Sequence, residues 1–241
     1  MSLLLAAVLA GAGLLLAPVG ASATFAINLQ GPGPYAGAGI TIMDNAPGDL
    51  DPTPGGIVVV AGATAQTPAI PGFTFSIDSA LTNSPGGPSF SLLDLGYNLA
   101  ALGLATGGTV IVSTSATGYT YPPGTGGATL TSDIGGTLAG TGSVNAQQWV
   151  NLADMLFGHG PLTPGNQGPF GPGAYSSTAT LGYTSTTPYS ITEQLTMTLG
   201  SNSQTSGDFS STVVPEPATV LLLGAGLLGL GLVAWRRSRL E

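Results

Sequence analysis

The 241-residue chain has no cysteine. That excludes disulfides, thiolate metal ligands and cysteine nucleophiles. Lysine is missing as well. The only Lys or Arg residues are Arg236, Arg237 and Arg239, all at the extreme C-terminus. Between Thr24 and Val213 stand nine acidic residues, Asp44, Asp49, Asp51, Asp78, Asp94, Asp133, Asp154, Glu193 and Asp208, with no Lys or Arg among them. A surface that binds phosphates needs Lys or Arg, so nucleic acid is excluded as a partner. Charged residues are only 6% of the chain, against about 25% in ordinary soluble domains. The acidic excess therefore serves solubility in a weakly charged surface, or else offers oxygen ligands to a divalent cation.

Histidine is nearly absent too. Nucleophilic catalysis by Ser or Thr usually needs a base beside the nucleophile, and the single histidine, His159, lies in a Gly158-His159-Gly160-Pro161 turn. Asp154 precedes it, but no Gly-x-Ser-x-Gly elbow accompanies them. His159 is expected to be an exposed loop residue, or a cation near the end of a helix. A glycosidase would need two opposed carboxylates. Nine are available, yet aromatics are sparse at 7% and basic partners are missing. The chain is therefore read as non-enzymatic, with a secreted hydrolase as the least favoured alternative.

Glycine, proline, serine and threonine are what the chain does have. There are 39 Gly and 19 Pro, close to the range where low complexity becomes a concern. Short β-branched and aromatic runs recur between them and can bury a core. Strands are expected at Phe25–Asn28, Gly39–Met43, Ile57–Ala61, Phe73–Asp78, Ser89–Leu93, Thr109–Ser113, Ala128–Ser132, Ser177–Tyr183 and Ile191–Leu199. Phe73 to Asp78 alternates apolar with polar, as a half-buried strand should. Turn signals such as Pro54-Gly55-Gly56 and Pro122-Pro123-Gly124 separate the runs. The expected fold is mainly β, an antiparallel β-sandwich or jelly-roll-like ectodomain with one short helix. A β-solenoid is less favoured because no fixed repeat period is present. The helix is expected from Asn145 to about Phe157, with Asn145 as N-cap. Trp149, Leu152, Ala153 and Leu156 fall on one helical face there, and Trp149 is expected to pack in the core.

One acidic stretch is a candidate cation site. Asp44-Asn45-Ala46-Pro47-Gly48-Asp49-Leu50-Asp51 offers three carboxylates and a glycine turn. Calcium takes such oxygens from flexible loops, though the spacing is not that of an EF-hand. Asp and Asn are also ordinary turn formers, which is the favoured reading. No other cofactor is indicated.

The two ends carry addresses. Leu3 to Leu16 is apolar, Pro18 and Gly20 break it, and Ala21-Ser22-Ala23 gives a small-x-small cleavage pattern. Residues 1–23 are read as a signal peptide cut before Thr24, although its first residues lack Lys or Arg. Residues 24–201 are the expected ectodomain. Residues 202–213, rich in Ser, Gly and Thr, are read as a flexible spacer. The uncharged apolar run from Ala218 to Trp235 has eighteen residues. As a helix it would span about 27 Å, close to a hydrocarbon core of about 30 Å. Trp235 suits the headgroup interface, and Arg236, Arg237 and Arg239 would hold the C-terminus in the cytoplasm. Both ends thus predict that the intervening domain lies outside.

Pro215-Glu216-Pro217, then the Leu/Gly-rich run, then the arginines, resembles the PEP-CTERM sorting signal. The resemblance covers about residues 214 to 239 of a tail segment bounded at 214–241. It implies an exported protein of a Gram-negative bacterium that makes exopolysaccharide. It also implies recognition of Pro215, Glu216 and Pro217 by a membrane-embedded exosortase that processes the tail. The expected role is a cell-surface or exopolysaccharide (biofilm) matrix protein. The alternative is a calcium-dependent carbohydrate-binding or adhesive module using Asp44, Asp49 and Asp51.

Overall fold

The computed structural model describes residues 23–84, 90–101, 103, 107–120 and 126–215. The sequence-predicted signal segment up to Ser22, Glu216, Pro217, the apolar run 218–235 and the three arginines lie outside them. Twelve strands carry the described chain. They are β1 (Phe25–Gln30), β2 (Ile40–Met43), β3 (Gly56–Val60), β4 (Phe73–Thr82), β5 (Ser91–Ala101), β6 (Gly108–Tyr119), β7 (Gly126–Ala139), β8 (Gly142–Asn151), β9 (Gln167–Phe170), β10 (Gly173–Ser185), β11 (Tyr189–Leu199) and β12 (Ser203–Pro215). A single 3-10 turn at Gly33–Tyr35 is the one helical piece among the described residues.

The strands form two antiparallel six-stranded sheets. One runs β2-β1-β6-β11-β8-β9 and the other β10-β7-β12-β5-β4-β3. From β5 onward the chain crosses repeatedly between them, so that β5-β12-β7-β10 lie in one sheet and β6-β11-β8-β9 in the other. One hydrophobic core serves both, with Ile27, Val112, Ile191 and Leu195 from the first sheet against Leu93, Leu95, Ile134 and Phe209 from the second. The period-2 alternation of strands produces this arrangement. In β11, Tyr189, Ile191, Leu195, Met197 and Leu199 are buried, while Thr198 between them is exposed.

Two expectations about local structure are corrected. The helix from Asn145 to Phe157 is not formed. Val144, Ala146, Gln148 and Val150 alternate inward on β8, and all ten residues of β8 pair with β11. Sheet pairing outweighs a helical stripe that has only four members, and positive φ at Asp154 (53°) and Phe157 (54°) interrupts the segment after β8. The flexible spacer at 202–213 is also not a spacer. Ser203, Thr205, Phe209, Ser211 and Val213 turn toward the core, and β12 is paired on both sides, to β5 and to β7. Small hydroxyl residues are at home in a strand flanked on both edges.

Both ends of the domain lie at one pole. Val213 pairs with Ser91, and Pro215 with Ala128. The Thr24 N–H donates to Thr117 Oγ1 at 3.1 Å, Ser84 Oγ donates to the Thr117 carbonyl at 2.5 Å, and Tyr119 Oη donates to the Leu92 carbonyl at 2.7 Å. Thr24 therefore begins beside the end where β12 finishes. Among the described residues no helix is long and apolar enough to cross a membrane.

Candidate functional site

Pro215 is the one residue of the predicted sorting tripeptide within the described structure. It is the final residue of β12, a terminal position that tolerates the missing N–H. Val213, two residues earlier, is fully buried. The tail thus leaves directly from a central strand.

The three aspartates of the 44–51 loop each hold backbone. Asp44 Oδ2 accepts the Gly55 N–H at 2.8 Å. Asp49 accepts three N–H groups, those of Asn45 at 2.9 Å, Asp51 at 2.9 Å and Val58 at 3.0 Å. Asp51 Oδ1 accepts from both the Thr53 N–H and its hydroxyl. These bonds, the hydroxyl first, hold the Asp51 carboxyl below its usual range. The loop brings the three residues into one turn but directs each carboxylate to a different stretch of main chain. Among the described residues, no three His, Cys, Asp or Glu side chains form a group suited to holding a metal ion.

Trp149 is buried, as expected, but on the side of β8 away from the shared core cluster, and His159 stacks on it with ring centroids 3.9 Å apart and planes 13° from parallel. The loop after β8 folds back over the outer side of this sheet. Asp154 Oδ1 accepts the Gly118 N–H at 2.7 Å, and the Phe157 N–H donates to Ser115 Oγ at 2.9 Å. His159 is an exposed loop residue, as expected, and its packing role is to cover the indole.

The most unusual chemistry lies at carboxyls to which the sequence pattern assigns no role. Glu193 sits on the inward row of β11, fully buried. Its neighbours across the two ladders are Thr114 on β6 and Gln148 on β8. Thr114 Oγ1 donates to Glu193 Oε2 at 3.1 Å. Ser211, from the facing sheet, reaches the same spot and donates to Gln148 Oε1. Glu193 Oε1 and Gln148 Nε2 have no protein partner, although they belong to directly opposed residues. Burial pushes the Glu193 carboxyl well above the usual range; Ser211 and Thr114 oppose this, and Asp94 and Asp208 add to it. Burial thus favours its neutral form over the anion. The alternation Ile191, Glu193, Leu195, Met197 already puts Glu193 on the apolar face.

Asp94 and Asp208 form a second carboxyl site on the outer side of the other sheet. Ser210 pairs with Asp94, and Asp208 with Gly96, so the two aspartates are diagonal neighbours. Their carboxyls are hydrogen-bonded to each other. Asp94 is pushed up to about 6, by burial first and then by the Asp208 charge. Burial raises Asp208 too. Asp133 lies nearby on β7 and takes a hydrogen bond from Thr178. With Gly135, Ser176 and Asp208 it lines a shallow open recess.

Comparisons with known proteins address the tail far more than the domain. No curated protein is significantly similar to the chain. A solved structure of the isomalto-dextranase of Arthrobacter globiformis T6, complexed with panose, aligns with 14% identity and a TM-score of 0.23, over 80% of this chain and 30% of that one. The chain thus spans under a third of that enzyme's length. At the C-terminus the match is specific: residues 213–238, beginning on the last three residues of β12, carry the PEP-CTERM protein-sorting motif, which implies export, membrane-associated sorting and exosortase processing.

Proposed function

We propose that this chain is a sorted surface protein whose ectodomain, from Thr24 to Pro215, has a structural or interaction role, without catalysis, at the cell surface or in an exopolysaccharide matrix. Residues 1–23 act as the export signal, and Ala218–Trp235 as a transient membrane span. Arg236, Arg237 and Arg239 fix its orientation, and Pro215, Glu216 and Pro217 are what an exosortase-type protease reads. The observation that carries this reading is the sorting motif at residues 213–238. The exit of both domain ends at one pole supports it, because an export signal and a membrane tail must meet the same bilayer. The ectodomain is read as a β-sandwich. The order β5-β12-β7-β10 against β6-β11-β8-β9 is that of an eight-stranded jelly roll, to which β1–β4 add two strands per sheet.

Intact mass of the protein from its native host, taken separately from membranes and medium, tests the proposal. Loss of residues 1–23 together with truncation near Pro215 is the expected result. A full-length C-terminus remaining in the membrane would reduce the tail to a plain anchor.

A second reading is a carbohydrate-binding or adhesive module. What favours it is the jelly-roll order, an architecture that includes lectin domains; this is an analogy of fold alone. If calcium serves such binding through Asp44, Asp49 and Asp51, millimolar calcium raises Tm, and Asp49→Ala with Asp51→Ala abolishes the rise.

A further inference from the structure

Exposed apolar side chains on this domain are not scattered. Among the described residues seven large hydrophobics are exposed. Five of them, Met43, Leu81, Phe90, Leu152 and Met155, lie toward the pole where Thr24 and Pro215 emerge. Met43 ends β2, and Leu81 is next to last in β4. Phe90 immediately precedes β5, and its carbonyl accepts from Asn83 Nδ2. Leu152 comes directly after the last residue of β8, and the Met155 carbonyl is held by Ser190 Oγ at 2.8 Å. The other two, Leu50 and Val60, lie along the β3 side. Among the described residues, turns at the opposite pole include small uncharged residues such as Gly140-Thr141 and Gly200-Ser201-Asn202.

We propose that this pole is a lipid-docking surface that rests in the headgroup layer of a zwitterionic phospholipid membrane. The inference deepens the reading of the tail as a membrane span. Three Cα steps separate Pro215 from Ala218, where the apolar run starts, so the end of β12 lies within about 11 Å of the hydrocarbon. A headgroup layer is only about 5–7 Å thick on each side. A domain tied this closely turns its pole to the lipid, and exposed Phe, Leu and Met side chains are suited to that interface. Asp44 and Asp154 share the pole, each already accepting a backbone N–H. They favour zwitterionic lipid over anionic lipid, which would repel them.

The absence of cysteine gives a clean test. The full chain carrying one of Phe90→Cys, Met155→Cys, Val60→Cys or Ser201→Cys is labelled with an environment-sensitive fluorophore. It is then reconstituted into phosphatidylcholine vesicles with or without spin-labelled lipid. All four positions are at the surface, and an unchanged Tm verifies each variant. The expected result is flotation with the vesicles, with loss of fluorescence at 90 and 155 and none at 60 and 201. Adding anionic lipid weakens the loss. Flotation with equal signals at all four positions overturns the docking surface and leaves the anchor standing. A chain that does not float overturns both.

Discussion

Glu193 and the Asp94–Asp208 pair lie on opposite sides of the sheet that contains β12, and neither has a Lys or Arg to meet. Inside, Glu193 is surrounded by Thr114, Gln148 and Ser211, and its neutral form is the one that fits. Outside, on a solvent-facing surface, partial burial raises both aspartates, and Asp208 raises its neighbour Asp94 further. A chain with an acidic domain and no internal cations thus handles carboxyls in two ways. It keeps one protonated by burial, and it pairs two so that one helps protonate the other. The lesson is about pH. Every one of these groups has a folded pKa above its unfolded one, so each contributes stability that is complete below the unfolded pKa and is lost as pH rises toward the folded pKa.

The comparison breaks most sharply at Glu193. Glu193→Gln keeps the shape and a donor while removing the ionisable group. Above the ordinary glutamate range the native chain is expected to lose up to about 1.4 kcal/mol per pH unit on account of Glu193, for as long as folding keeps it protonated. The variant should lose none of this, so it is more stable at pH 7 and the two converge near pH 4. Urea unfolding midpoints at pH 4, 5.5 and 7 measure the effect. Parallel pH profiles would mean that Glu193 is not held neutral in the fold.

A loop carboxylate sharpens the contrast, because it works by accepting hydrogen bonds from the main chain. Asp49 accepts three backbone N–H groups. Asp49→Ala is expected to cost about 1–3 kcal/mol, the range for losing such caps, with or without calcium. Thermal melts of the variant in chelator and in calcium decide it. A loss of stability seen only in calcium would make the carboxylate an ion ligand first.

Much of this fold is legible in the sequence wherever a strand has one wet face. Phe73 to Asp78 and Ile191 to Leu199 alternate, and both are strands. β8 and β12 do not announce themselves, because their inward rows contain Gln148, Ser203, Thr205 and Ser211, which carry little apolar signal yet are buried by partners on both sides. Two of them, Gln148 and Ser211, belong to the surroundings of Glu193. The site and the illegible strands therefore have one cause, a core that accepts hydroxyls and amides. Two glycines show the same dependence on distant partners. A Cβ at Gly136 would stand 2.5 Å from Tyr175 Oη, and one at Gly207 2.8 Å from Tyr97 Oη. The two tyrosines hydrogen-bond at 2.5 Å in the space those glycines leave. Nothing local in the sequence signals that contact, nor the meeting of Asp94 with Asp208, which needs the β5–β12 register.

The smallest effect should come from the outer pair. Asp94→Asn removes the carboxyl pushed up to about 6 and frees Asp208 to ionise at lower pH. The native pair favours folding most when it holds its protons. Its contribution is present below the ordinary carboxyl range near 4 and declines until pH reaches about 6. The variant should be flatter through that window and slightly more stable above it, by no more than about 1 kcal/mol because solvent screens this face. The expected difference from Glu193→Gln lies in where each curve levels off. The Asp94 contribution ends near pH 6, while that of Glu193 continues upward. Unfolding midpoints in half-unit steps from pH 4 to 8 separate the two. A D94N profile that keeps diverging from the native one above pH 7 would show that the outer pair is buried as deeply as the inner acid, and the distinction between the two faces would collapse.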